Sequence, residues 1–526
     1  MSKYTGEKLD FVLEAMAQDP SLSITAASKL MCDKYDFDYK DSVRKAVSNL
    51  LKRERGESNP DIEVEASETF KTAQSKTLDK KKETFLISWA QNATPLHKNF
   101  MKNLKAYAKD LDAGIHVIAG RYNNPTSVFA DKDKDWWAPE VVPYLDAARH
   151  NLHKYLQVLS DVKIPPTGST PLSGLNSLTG LESCIVGHPR QQVKSLPILD
   201  GYPHKLLLST GSVTVANYTD SKSGKKGEFH HSIGFVIVEL DGENFHIRQV
   251  SADEDGNFYD LFKRVKDGVV GDNVEGAEAA VLGDIHIAHN DAEATALSFK
   301  LLDEMKPNHT MIHDIIDCES ISHHEENDPF RIMQKEENGT GDLKKELETM
   351  LQWVEDRLKY NLVIVRSNHD DFLDRWLKSV DWRKARNKRM FLYGANILAS
   401  EPVAQKKGVI SFLIENAFGE KVTTLGLDDS YRVLDWELGV HGHVGANGSR
   451  GGHNQYKNMN TKMITGHTHS PNRGDGHMTV GTLSGLRVGY NKGASSWMHA
   501  NALIYADGKA QLVYIVGGKY CRDMPK

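Results

Sequence analysis

The chain runs to 526 residues, more than one hydrophobic core accommodates, so two or three domains are expected. With 39% hydrophobic and 26% charged residues it has a soluble globular composition, and its net charge of −6 excludes a global basic field for nucleic acid. Four scattered cysteines without CxxC spacing exclude a disulfide framework and a thiolate zinc site; with no signal-peptide pattern and no long apolar run, a cytoplasmic protein without membrane contacts is expected.

Residues 1–57 read as three short helices: LDFVLEAMAQ, AASKLMCDKY capped by Thr25, and SVRKAVSNLLKR capped by Asp41 or Ser42. The segment resembles a helix-turn-helix module whose third helix would enter a major groove, with Arg44 and Lys45 as candidate DNA contacts. A docking or oligomerisation bundle with a solvated basic face fits the same residues. Residues 58–82 are polar and aperiodic and read as a charged linker.

Residues 83–272 pattern as an α/β accessory domain. ETFLISWA and GIHVIAG read as strands around the helix HKNFMKNLKAYAKDL, and the polar stretches WAQNATPLH and GRYNNPTS as turns after strands. KLLLSTGSVTVANY and HHSIGFVIVEL read as a β-hairpin with the basic tip SKSGKKGE, which does not fit a phosphate loop. No clear internal repeat is legible.

From 273 to 526 the pattern alternates more cleanly. AAVLGDIH, TMIHDIID and LVIVRSNHDD are predicted strands, separated by the helices AEATALSFKLLDEM and DLKKELETMLQWVEDRLKY. Such alternation implies parallel strands ending at one rim, where open α/β sheets bind ligands.

Those ends carry Asp284 and His286, then Asp314 with Asp317 beyond it, then Asn368, His369 and Asp370; WELGVHGH and KMITGHTHS add His441, His443, His467 and His469. Fourteen of the 23 histidines lie between His286 and His499. Taken singly, each such residue is an ordinary turn or cap residue. Five strand ends in succession bearing only carboxylates, imidazoles and an amide are metal-ligand chemistry, because clustered carboxylates without cations repel one another. Nitrogen and oxygen donors without thiolate suit Mn²⁺, Fe or Zn²⁺.

The ordered set D-x-H, D, N-H-D, H and G-H-x-H resembles the calcineurin-like metallophosphoesterase superfamily over about residues 279–470. The resemblance implies a β-sandwich flanked by helices and two divalent ions, Mn²⁺ foremost. Asp284, His286 and His469 would hold one, Asn368, His441 and His467 the other, and Asp314 would bridge them. His369 would be the catalytic histidine, cationic near neutral pH, with Asp370 orienting it. Two residues depart from the family pattern: His313 and Ser367 stand where glycines are usual. His441 is preferred to His443 because VHGH matches the family's VHG.

By the same resemblance, a hydroxide bridging the ions would attack phosphorus in line. The substrate is expected to be DNA: SNHDDF resembles the GNHDD stretch of the nuclease subunit of SbcCD-type repair complexes, and Arg473 could grip a phosphate. The whole layout also resembles the large pre-early DNA-degradation protein of tailed phages of the T-five group. That resemblance implies a manganese-dependent DNase in the host bacterial cytoplasm, acting as a homo-oligomer. The alternatives are a phosphomonoesterase or small-molecule phosphodiesterase with an N-terminal oligomerisation module, and a non-enzymatic DNA-binding or scaffolding protein.

Overall fold

The computed structural model describes residues 7–36 and 81–526, with single positions and short stretches excepted, together with Tyr39, Val43 and Val47. The predicted third N-terminal helix with Arg44 and Lys45, and nearly all of the linker, lie outside the described residues. Of the N-terminal bundle, α1 (Glu7–Gln18) and α2 (Ile24–Lys34) are present. Ser23 rather than Thr25 caps α2, accepting from the Ala26 N–H at 3.2 Å, because its extended backbone places the hydroxyl over the first turn. Val12, Ala27 and Met31 bury one face of each helix together with Val43 and Val47.

The rest is mixed α/β, built on three large sheets. The first half supplies β1 (Thr84–Gln91), helix α3 (Lys98–Asp110), β2 (Gly114–Gly120), β3 (Leu145–Asp146), β4 (Arg149–His153), β5 (Leu156–Leu159), β6 (Ser183–Val186), β7 (Val193–Leu196), β8 (Lys205–Ser209), helix α4 (Lys222–Phe229), β9 (Gly234–Asp241) and β10 (Asn244–Ser251). A small meander follows: β11 (Phe258–Asp260), β12 (Lys263–Lys266) and β13 (Val269–Asp272). The second half contains β14 (Ala279–Val281), α5 (Ala292–Met305), β15 (His309–His313), α6 (Pro329–Asn338), α7 (Leu343–Glu355), β16 (Leu362–Val365), α8 (Asp370–Ser379) and α9 (Lys388–Ser400). Two further helices, α10 (Pro402–Lys407) and α11 (Val409–Phe418), lead to β17 (Thr423–Leu425), β18 (Arg432–Val433), β19 (Trp436–Glu437), β20 (Lys462–Thr465), β21 (Asn472–Gly474), β22 (His477–Thr479), β23 (Ala500–Ile504) and β24 (Ala510–Tyr514).

The expected parallel strands are present: β14, β15, β16 and β17 pair in parallel, and β23 and β24 extend the sheet antiparallel. Their residues face two ways, as buried strands must. Ala280, Ile312 and Ile364 pack against the helices, whereas Val281, Met311 and Val363 face the opposite sheet.

A shared sheet and a shared apolar layer cross the boundary drawn at residue 272, while each half keeps a core of its own beneath its helices. Strands from both halves form one ten-stranded sheet, ordered β18-β19-β20-β22-β21-β7-β8-β6-β5-β4. Its junction is an antiparallel pairing of β7 with β21, Val193 opposite Arg473 and Lys194 opposite Asn472. One apolar layer spans the seam, joining Phe85, Val236 and Leu208 with Val281, Val365 and Ile464. The predicted hairpin is also replaced: β8 belongs to the ten-stranded sheet and β9 to the five-stranded one, and SKSGKKGE is the helix α4, started by Ser221 accepting from the Gly224 N–H.

The two halves share a topology that the sequence conceals. The five-stranded sheet runs β10-β9-β1-β2-β3 and the six-stranded sheet β24-β23-β14-β15-β16-β17, with parallel and antiparallel pairings in the same order. In the long sheet, β4 through β8 repeat β18 through β22, and the junction pairs the two equivalent strands. Local detail repeats as well. Trp89 bridges Ser212 and Leu96 bridges Thr214, as Asp284 bridges Thr482 and Asn290 bridges Ser484. The hydroxyl pairs Ser212–Thr214 and Thr482–Ser484 sit at 2.9 and 2.8 Å.

Candidate metal centre

Each predicted ligand leaves a strand at the same rim, and the backbone bends sharply there. His286, Asp314, His467 and His469 have φ of +48°, +44°, +73° and +55°. Left-handed backbone in non-glycine residues costs about 1–3 kcal/mol each, and it gathers where function holds it in place. Glycine is required once beside them: a Cβ on Gly466 would lie 2.1 Å from Asp284 Oδ1.

The side chains converge. His469 Nε2 lies 3.0 Å from Asp284 Oδ2 and 3.0 Å from His286 Nε2, and ligand atoms of Asp284, His286, Asp314 and His469 all fall within 4.8 Å of one another. Asp314 Oδ2 is 3.6 Å from His286 Nε2 on one side and 3.2 Å from His441 Nε2 on the other. Asn368 Oδ1 is 3.1 Å from His441 Nε2 and 2.9 Å from His467 Nδ1. The His467 N–H donates to Asp284 Oδ2 at 2.8 Å. Seven residues from five segments therefore form one buried cluster, with Asp314 between its two sides.

Two observations fit a cation there. Asp284 Oδ1 and Asp314 Oδ1 are buried without a hydrogen-bond partner, a costly arrangement for a carboxylate unless a cation meets it. The donor set is oxygen and imidazole throughout, which suits a hard or borderline divalent ion. These buried groups can hold a metal ion.

Burial and the neighbouring charges oppose each other across the cluster. Burial would raise the carboxyls of Asp284 and Asp314, but neighbouring imidazoles hold the first at about 2 and the second well below the usual carboxylate range. Burial pushes His286 down, yet Asp317 and Asp314 more than offset it and raise it to about 9. His441 is likewise raised by Asp314 against burial, whereas burial and His441 lower His467 to about 4.

Several sequence expectations are corrected. Asp370 does not touch the His369 ring; its Oδ2 accepts from the Ser367 N–H at 3.0 Å, because Asp370 opens α8 and its side chain turns back over the first turn. Burial and Asp314 raise its carboxyl to about 7. The residue beside His369 is Asp317, whose carbonyl oxygen is 3.4 Å and Oδ1 4.0 Å from His369 Nδ1. Asp317 Oδ1 also meets His286 Nδ1 at 2.8 Å. Its spacing three residues after Asp314 was the available signal. Burial lowers the His369 pKa, disfavouring the cationic form expected near neutral pH.

Arg473 does not reach the rim. It lies on β21 at the junction of the halves, partly buried, and its guanidinium donates to Ser251 Oγ at 2.9 Å. His443 turns away to Asp371, 3.6 Å distant, while His441 stands against Asp314 and Asn368. The departures at His313 and Ser367 are absorbed: His313 Nδ1 sits 3.4 Å from His441 Nδ1, and Ser367 Oγ accepts from the Asp370 N–H.

In the first half, four of the positions matching the cluster are occupied differently, and one keeps a histidine. Trp89 stands where Asp284 does and Gln91 where His286 does. Ala119 matches Asp314, and His188 and Arg190 match His467 and His469. The matched glycine, Gly187, packs on Trp89 and Ile118 as Gly466 packs on Asp284 and His313.

Among the described residues, no helix is long and apolar enough to cross a membrane. No family model matches the chain, and no solved structure matches it significantly. Protein A1 of Escherichia phage T5 is 30% identical over 472 residues, covering 83% of this chain and 82% of that protein. Identity of that extent across both halves establishes kinship: the chain belongs to the bacteriophage family of T5 protein A1.

Proposed function

We propose that the chain is a phosphodiesterase using two divalent ions, Mn²⁺ foremost, and that its substrate is DNA. The observation that carries the reading is the placement of Asp314 between two sets of donors, with its own Oδ1 and that of Asp284 lacking protein partners. Asp284, His286 and His469 would hold one ion, Asn368, His441 and His467 the other, and Asp314 both. Ions so held lower the pKa of water and neutralise charge on phosphoryl oxygens.

The chain's own groups supply the rest. His369 stands at the cluster's rim with its side chain 19% exposed. From there its ring N–H can donate a hydrogen bond to an oxygen of a docked phosphate. Asp317 backs it through its carbonyl and keeps the His286 ring in register through its carboxylate. The facing sheets around the centre agree with the metallophosphoesterase sandwich that the motifs resemble.

For DNA, the support is the SNHDDF stretch and the helical N-terminal segment; the phage kinship agrees with action in an infected bacterium's cytoplasm. The test is incubation with Mn²⁺ and linear duplex DNA, single strands, or a chromogenic mono- or diester. Chelator-sensitive DNA cleavage supports the reading. Monoester turnover without DNA cleavage would replace it with a phosphomonoesterase, and no turnover at all with a binding protein.

A further inference from the structure

Resting on that reading of the centre, we propose that the cleft bounded by α6, α7, α8 and residues 380–387 holds the phosphate backbone of a single-stranded segment next to the scissile bond. Two adjoining hollows form it, of about 810 and about 610 Å³, sharing Lys335, Gly341, Arg386 and Asn387. Nine lysines and arginines line them against four carboxylates, in a chain whose net charge is −6. Lys344, Arg375, Lys378, Lys384, Arg386 and Lys388 are exposed; of these, Lys344, Lys384 and Arg386 also meet Glu348, Asp381 and Glu336 at 3.2, 3.9 and 2.6 Å. A polyanion of linked phosphates is the ligand that such a trough attracts.

The cleft adjoins the centre through one wall. Phe372, in its wall, packs its ring 4.8 Å from that of His369. Arg375 lies over the Phe372 ring at 4.7 Å and donates to the carbonyl of Asn368 at 3.0 Å. The two walls are tied by Asn387, whose Oδ1 accepts from the Leu343 N–H and whose Nδ2 donates to the Gly341 carbonyl. Trp382, 53% exposed, stands on the same basic loop between Asp381 and Arg383. Cations interleaved with an exposed aromatic ring are the means by which proteins hold unpaired strands, the ring stacking on a base.

The experiment uses the full chain with Mn²⁺ and His369→Ala to suppress turnover, and reads anisotropy of a fluorescein-labelled single strand across a salt series. Lys378→Gln with Lys384→Gln and Arg386→Gln should weaken binding at least about tenfold and flatten the salt slope by about 2, at roughly 0.7 per lost contact. Trp382→Ala should weaken binding about tenfold with the slope unaltered. Parental affinity and slope in both variants, or tighter binding of duplex than of single strand, would overturn the proposal. Hydrolysis of bis(p-nitrophenyl) phosphate by the parent chain reports on the centre separately: its absence together with absent DNA cleavage sinks the enzymatic reading, whereas its presence with unaltered binding sinks only the cleft.

The matched topology carries a second inference independently. We infer that residues 84–251 are an internal duplicate of residues 279–514 in which Trp89, Gln91, Ala119 and Arg190 replace metal-ligand positions and side-chain amides tie the facing loops. The loops that would face ions are instead stitched together: Gln91 Nε2 donates to Thr94 Oγ1 at 3.0 Å and to the Asn217 carbonyl at 2.8 Å. Asn124 Nδ2 donates to Asn217 Oδ1, and the Tyr122 N–H donates to Asn92 Oδ1. The trio His116, Asp146 and His150 in this half is satisfied internally, His150 Nε2 meeting Asp146 Oδ2 at 2.7 Å and His116 Nε2 meeting Ser160 Oγ at 2.9 Å. Asp284→Asn with Asp314→Asn should therefore empty the Mn-loaded, desalted chain of manganese by mass spectrometry. Gln91→Ala with Asn217→Ala should lower the melting midpoint equally with and without chelator. Manganese remaining in the first variant, or a chelator-dependent loss in the second, overturns the exchange.

Discussion

Asp317 places one carboxylate oxygen 2.8 Å from Nδ1 of His286, leaving the Nε2 of that ring aimed at Asp314 and His469. A carboxylate on one ring nitrogen fixes the tautomer and makes the other nitrogen the better donor to a metal. Asp317→Asn should accordingly weaken Mn²⁺ binding by about 10–100-fold while leaving the fold intact. A calorimetric titration of the metal-depleted variant checks this, and unchanged affinity would remove Asp317 from the site.

His369 and Asp314 should separate by readout. His369→Ala is expected to keep its metal complement and lose about 10²–10⁴-fold in diester turnover, since only its hydrogen bond to the substrate and its orienting role are lost. Asp314→Asn should lose metal and activity together. Parental turnover by His369→Ala would show that the histidine is a bystander.

Gly466→Ala tests the tightness of the rim. The added methyl would sit 2.1 Å from Asp284 Oδ1 and 3.2 Å from His313 Cβ, so Asp284 or the turn must move. Metal affinity should fall sharply, with a destabilisation of about 1–3 kcal/mol from overpacking. A chemical melt and a metal titration read the two effects, and a variant indistinguishable from parent in both would contradict the described packing.

Acid stability should be set in part by the buried triad Arg248, Glu239 and Asp260. Arg248 Nη1 reaches Glu239 Oε2 at 2.8 Å, and its Nε reaches Asp260 Oδ1 at 2.9 Å. Burial would raise both acids, but Arg248 more than offsets it and holds them below their ordinary values. A folded-state pKa below the unfolded one means stability present above about pH 4 and lost as pH falls through the folded values. Arg248→Met with Glu239→Gln and Asp260→Asn should therefore show a shallower fall in melting midpoint between about pH 4 and 2 than the parent. Parallel curves would mean the triad adds nothing to acid sensitivity.

Local residue pattern alone marks which side chains could meet a metal. Strand periodicity followed by D-x-H, D, N-H-D, H and G-H-x-H is local information, and where the chain extends and stops is dictated by the residues of that segment. Placing those strand ends on one rim needed only the strand-helix-strand alternation, and the parallel pairing of β14 to β16 agrees with it.

Which partner each group meets depends on how the folded chain brings distant segments together. Asp370 adjoins His369 in sequence, yet the first turn of α8 points it back to Ser367, and Asp317, 52 residues from His369, takes the neighbouring place. Arg473 follows the last ligands by a few residues, yet the strand junction turns it toward Ser251. The duplication was illegible for the same reason. Backbone pairing order survives when side chains change, because many residues satisfy one buried strand, whereas ligands tolerate no exchange. Trp89 in place of Asp284 erases the motif and leaves the topology standing.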